Sequence, residues 1–132
     1  AIEANIDLII VNYANPDMVG HTGNLDAAVK ACEAVDDGLG KLVTAIKENN
    51  GCMVMTADHG NCEVMVDPET KTKNTSHTTN LVPFAIYGTN QNIKLRKNGR
   101  LADVAPTILS LMGLDQPSEM TGISMIEKNN CE

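Results

Sequence analysis

The chain has 132 residues, a formal net charge of −7 and a hydrophobic fraction of 42%, proportions that fit one soluble domain. The acidic balance argues against nucleic acid or an anionic membrane surface as a partner. No apolar run approaches the roughly 20 residues needed to cross a bilayer, and Leu8-Ile9-Ile10-Val11 is too short for a signal segment.

With no Trp, and with Tyr13, Tyr87 and Phe84 as its aromatic residues, the chain must build an aliphatic, Met-filled core. Lys94, Arg96, Lys97 and Arg100 are diluted by Asn and Gly and read as a solvated turn rather than a basic patch. Cys32, Cys52, Cys62 and Cys131 form no C-x-x-C pair, which reads as reduced thiols in a cytoplasmic protein. Cys62 follows His59 closely enough to address the same ion, but reads first as a buried or half-buried thiol.

Ile6 to Val11 is rich in β-branched residues and reads as a buried strand. A polar loop follows from Asn12 to Asn24, punctuated by Pro16, Gly20 and Gly23. From Asn24 the period becomes helical. Leu25, Ala28, Val29, Cys32, Val35, Leu39, Leu42, Val43 and Ile46 recur at three- and four-residue steps. Asn24 predicts the N-cap, and Asn49-Asn50-Gly51 the stop.

Cys52 to Ala57 reads as a second buried strand that delivers Asp58 and His59 at its carboxyl end. Glu63 to Val66 is expected as a short strand, and residues 67–74 as an exposed loop. Val82 to Tyr87 is another strand, and Asp103 to Met112 a helix capped by Asp103, with Pro106 in its first turn and Gly113 as its stop. Alternating strands and helices predict an α/β fold, a mostly parallel sheet flanked by helices. Ligand sites in such sheets gather at the carboxyl ends of strands, where the Asp17–His21 loop and the Asp58-His59 turn both lie.

Those positions hold the chemistry. All three histidines lie in polar loops: Asp17-Met18-Val19-Gly20-His21, Asp58-His59-Gly60-Asn61 and Ser76-His77-Thr78-Thr79-Asn80. Imidazole and carboxylate together suit Zn, Mn, Fe or Co. Asp17 and His21 share a face if their loop makes a helical turn. Singly, each motif also reads as a polar turn with a solvated side chain. Jointly they use every His of the chain, and this makes a metal centre the stronger reading.

Asn12-Tyr13-Ala14-Asn15-Pro16-Asp17-Met18-Val19-Gly20-His21-Thr22-Gly23 resembles the corresponding loop of the cofactor-independent phosphoglycerate mutases. Thr56-Ala57-Asp58-His59-Gly60-Asn61, then Ser76-His77-Thr78-Thr79-Asn80-Leu81-Val82-Pro83-Phe84, are similar to further segments of that family in the same order. Leu101 to Leu109 is similar to its closing helix, so the resemblance covers essentially the whole chain.

The resemblance implies an alkaline phosphatase-like α/β/α sandwich, with residues 1–132 forming the C-terminal part of the metal-binding domain. It implies that Asp17, His21 and His77 hold one divalent cation while Asp58 and His59 contribute to a second, most often Mn, with Mg, Co and Zn as alternatives. The implied parent enzyme is a glycolytic isomerase that interconverts 3-phosphoglycerate and 2-phosphoglycerate through a phosphoserine. Metal is needed there because a serine hydroxyl is a poor nucleophile, and because carboxylates repel a phosphate dianion.

By the same resemblance the nucleophilic serine, one more metal-binding Asp and the groups that grip the glycerate belong to the family's N-terminal portion. This chain therefore carries no catalytic residue of its own and is expected to be an inactive fragment. Ser76 beside His77 is no substitute, since adjacency in sequence is not triad geometry. Exposed sheet edges imply self-association or a partner. The rival reading is a stand-alone, non-catalytic metal-binding or interaction domain; a third keeps catalysis on another phosphate or sulfate ester.

Overall fold

A computed structural model describes residues 1–4, 6–89 and 93–127; Cys131 lies outside them. The described residues fall into two compact units, divided after Gly88.

In the first unit, helix α1 spans Asn15–Gly20 with Pro near its start, where a missing N–H is harmless. The sequence predicts a polar loop here, and the helical turn that would pair Asp17 with His21 is present within it. Helix α2, Leu25–Glu48, begins where Asn24 predicts: the Asn24 side chain accepts a hydrogen bond from the Ala27 N–H at 3.1 Å. Such a cap stabilises a helix by about 1 kcal/mol. Asn50, at φ 51°, follows the end of α2. Ala28 and Ala31 are its buried residues, whereas Leu25 and Val29 remain exposed at 55% and 48%. The predicted stripe is thus displaced by about one residue at its first turns. Tyr13 lies against Gly38 of α2, where a Cβ would come within 2.9 Å of the phenol oxygen and shift the ring outward.

Strand β1, Met53–Thr56, pairs with β2, Phe84–Tyr87, in an antiparallel register running from Met53 opposite Tyr87 to Thr56 opposite Phe84. Both strands lie inside their predicted spans. Among the described residues this pair is the whole sheet, and it is antiparallel where the sequence predicted mostly parallel pairing. Ile6–Val11 forms no strand here: Ile6, Leu8, Ile10 and Val11 are exposed at 54%, 48%, 83% and 52%. A β-rich run needs a neighbouring edge to satisfy its backbone, and no described residue supplies one. Glu63–Val66 forms no strand: Glu63 closes a turn and Val66 makes only an isolated antiparallel bridge to Lys73, while Val64 O and Met65 O accept from the Asn74 side chain and backbone at 2.9 and 3.0 Å.

The second unit is organised by Asp103. Helix α3, Val104–Met112, ends at Gly113 in the left-handed conformation (φ 69°), the predicted stop. Asp103 does not cap it. Its carboxylate, 5% exposed, instead accepts from the Arg96 guanidinium (2.9 Å), the Arg100 N–H (3.1 Å) and the Ile123 N–H (2.9 Å). These bonds, the one from Ile123 first and with Arg96 among them, hold the carboxyl below its ordinary range against desolvation. Arg96 and Arg100 therefore do not belong to a merely solvated turn. Fully buried Thr107 links α3 to the following chain: its hydroxyl donates to Asp103 O at 2.6 Å and accepts from Met125 N–H at 2.8 Å.

Among the described residues the buried apolar side chains are Ala28, Ala31, Met65 and Met125, small or methionine as the composition predicts, but few. No helix among the described residues is long and apolar enough to cross a membrane.

Candidate metal centre

Three chain segments of the first unit bring the polar motifs together. The helical turn of α1 puts Asp17 and His21, four residues apart, on one face; β1 delivers Asp58 and His59; the loop before β2 supplies His77. Asp17 Oδ1 is the hub. It lies 2.9 Å from His77 Nε2, 3.2 Å from His21 Nε2 and 3.9 Å from His59 Nε2. His21 Nε2 and His77 Nε2 are 3.1 Å apart, and the His59 and His77 rings stack with centroids 3.7 Å apart. The sites expected at Asp17, His21 and His77 and at His59 are thus one locus.

Ligand atoms held about 2.1 Å from a common ion lie about 3.0–3.4 Å from one another, the spacing within the Asp17, His21, His77 trio. The protonation of His21 supports the same fit. Its Nδ1 lies 2.7 Å from Thr75 O, a group that only accepts, so Nδ1 carries the proton and Nε2 presents a lone pair to the cluster. Abutting nitrogen lone pairs and a carboxylate repel unless a proton or a cation lies between them. Asp17, His59 and His77 likewise offer one ligand atom each, all within 4.8 Å of one another.

Asp58 sits differently. Its side chain is 75% exposed, with Oδ2 3.6 Å from His59 Nε2 and Oδ1 accepting from the His59 N–H at 3.1 Å. It borders the trio on the His59 side. Cys62 is not among the ligand atoms: its thiol donates to Pro16 O at 2.9 Å, and burial first of all raises its pKa.

Sequence reading missed the residues that hold the ligands. Asn61, 6% exposed, donates from Nδ2 to Asp17 Oδ1 at 2.9 Å. That bond is the largest reason the Asp17 carboxyl is held below its ordinary range; desolvation opposes it, and His21, His77 and His59 add to it. A Cβ on Gly20 would meet the Asn61 amide, and one on Gly60 would meet Glu63 and Thr78, so both glycines serve close approach. Glu63, Thr78 and Asn80 complete this support, and only the buried Asn61 had a sequence signal, its place in the Asp-His-Gly-Asn word.

A family model described as "Metalloenzyme superfamily" matches residues 1–116. The chain belongs to the metalloenzyme superfamily. Within it, the resemblance to cofactor-independent phosphoglycerate mutases holds. This metalloenzyme is 67% identical over 126 residues to the 2,3-bisphosphoglycerate-independent phosphoglycerate mutase of Ruegeria sp. (strain TM1040), and 64% identical over 126 residues to that of Paracoccus denitrificans (strain Pd 1222). Each alignment covers 96% of the chain and 25% of the relative, so the chain spans about a quarter of the length of the curated relatives it matches. A crystal structure of Leishmania mexicana phosphoglycerate mutase at low cobalt concentration superposes with a TM-score of 0.86 at 32% identity, covering 96% of this chain and 26% of that one.

Proposed function

We propose that this metalloenzyme chain is the C-terminal part of the metal-binding, alkaline phosphatase-like α/β/α domain of a cofactor-independent phosphoglycerate mutase. The parent is a cytoplasmic, glycolytic isomerase interconverting 3- and 2-phosphoglycerate. The observation that carries the reading is the convergence of Asp17, His21, His59 and His77 from three separate chain segments, with the His21 lone pair fixed by Thr75.

In this reading Asp17, His21 and His77 hold one divalent cation, and Asp58 and His59 contribute to a second. The donor set suits Mn, with Mg, Co and Zn as alternatives. When bound, such cations make a serine hydroxyl nucleophilic and offset the charge of a phosphate monoester. The chain's own residues supply the setting. Thr75 O fixes the His21 tautomer, the Asn61 amide orients an ionised Asp17, and stacking on His59 limits rotation of His77. The exposed Ile6–Val11 segment is the place where the parallel sheet of the parent would continue.

Phosphoglycerate turnover tests this. The native protein that carries this sequence should convert 3-phosphoglycerate to 2-phosphoglycerate with added Mn2+ and lose that turnover to a chelator. The 132-residue chain alone should show none. An inactive native protein, or turnover by the chain alone, would contradict the proposal.

A further inference from the structure

His59 and His77 come from loops, and loops do not hold distances of 3 Å by themselves. What fixes the loops is therefore a question with a physical answer. Glu63 is in none of the ligand motifs, yet its two carboxylate oxygens face two different ligand loops. Oε2 accepts the Asn61 N–H at 2.6 Å, on the loop that carries His59. Oε1 accepts the Thr78 hydroxyl and, at 3.1 Å, the Asn80 side-chain amide, both just beyond His77. Thr78 N–H also donates to Gly60 O at 2.9 Å, closing a bridge between the same two loops. The Asn61 whose backbone Glu63 holds is the residue whose amide holds Asp17.

We propose that Glu63 is the positioning residue of the metal centre, a carboxylate clamp that sets His59, His77 and, through Asn61, Asp17 in mutual register. The inference rests on the metal-centre reading, and adds to it a residue that never touches the ion. The clamp favours a carboxylate because each of its sides faces an N–H donor: an amide side chain would turn its own N–H toward either the Asn61 N–H or the Asn80 side-chain amide, although the Thr78 hydroxyl can accept as well as donate.

Two readouts on the 132-residue chain test it: calorimetric titration with Mn2+, and, in the metal-free protein, the nuclear Overhauser contact between the stacked His59 and His77 rings. Glu63→Gln should bind Mn2+ about 10- to 100-fold more weakly and lose the ring contact, with its far-ultraviolet helix signal unchanged. Affinity within about twofold of wild type together with a retained ring contact would overturn the proposal. Should Glu63→Gln not fold, Thr78→Val removes one donor at equal volume and should shift both readouts in the same direction; no shift in either would overturn it equally. If the wild-type chain bound no Mn2+, the metal-centre reading would fall, while the ring contact in the metal-free variants would still decide the clamp.

Discussion

His77→Ala is expected to lower the affinity for Mn2+ by at least about 100-fold, more than loss of a residue that merely orients a ligand. His77 Nε2 is the ligand atom nearest the Asp17 hub, at 2.9 Å, and is in reach of His21 at 3.1 Å. Removing it leaves Asp17 and His21 as a two-point site. The ring is 47% exposed, so its loss opens no large cavity and the fold should persist. Calorimetric titration of wild type and variant reads the effect directly. A variant that binds like wild type would remove His77 from the ligand set.

Asp103→Asn should destabilise the second unit by about 2–3 kcal/mol at pH 7. The carboxylate is almost fully buried, and its partners Arg96, Arg100 and Ile123 would be left facing an amide that accepts through only one oxygen. The Arg96 side chain is itself 32% exposed, so water relieves part of the cost, which keeps the figure at or below the low end for a broken buried pair. The sign of the pH dependence follows from the depressed folded-state pKa. Stability from this group is fully present above the unfolded-state value of about 3.9 and is lost as pH falls through the lower folded-state value. The gap between wild type and variant in urea unfolding should therefore shrink as pH drops below about 4. An equal gap at pH 7 and at the lowest pH would show that the charge contributes nothing.

Asn24 and Gly113 were legible because capping is local: an Asn side chain reaching Ala27 N–H and a left-handed glycine depend only on their immediate neighbours. The strands 53–56 and 84–87 were legible for the same reason, as aliphatic runs between polar turns. Pairing direction was not. The parallel sheet was inferred from alternation of elements, whereas β1 and β2 are joined by a long polar excursion that lets them meet antiparallel. Ile6–Val11 has strand composition, but a strand is a relation between two edges and the sequence of one segment cannot supply the other.

At the site, all five ligand candidates could be named from residue type and word order, because imidazoles are scarce in this chain. Their support could not. Asn61 reaches back 44 residues to Asp17, and Glu63 reaches forward 15 and 17 residues to Thr78 and Asn80. Asp103 was misjudged for a related reason. Its position predicted an N-cap, but Arg96 and the Ile123 N–H, 20 residues on, compete for the same oxygens.

The most direct test is nuclear magnetic resonance of the imidazole rings during substoichiometric addition of paramagnetic Mn2+. With Asp17 at the hub, the ring signals of His21, His59 and His77 should broaden together from the first addition. Ring signals that stay sharp throughout, or broadening confined to one histidine, would mean that the three loops do not share a cation site.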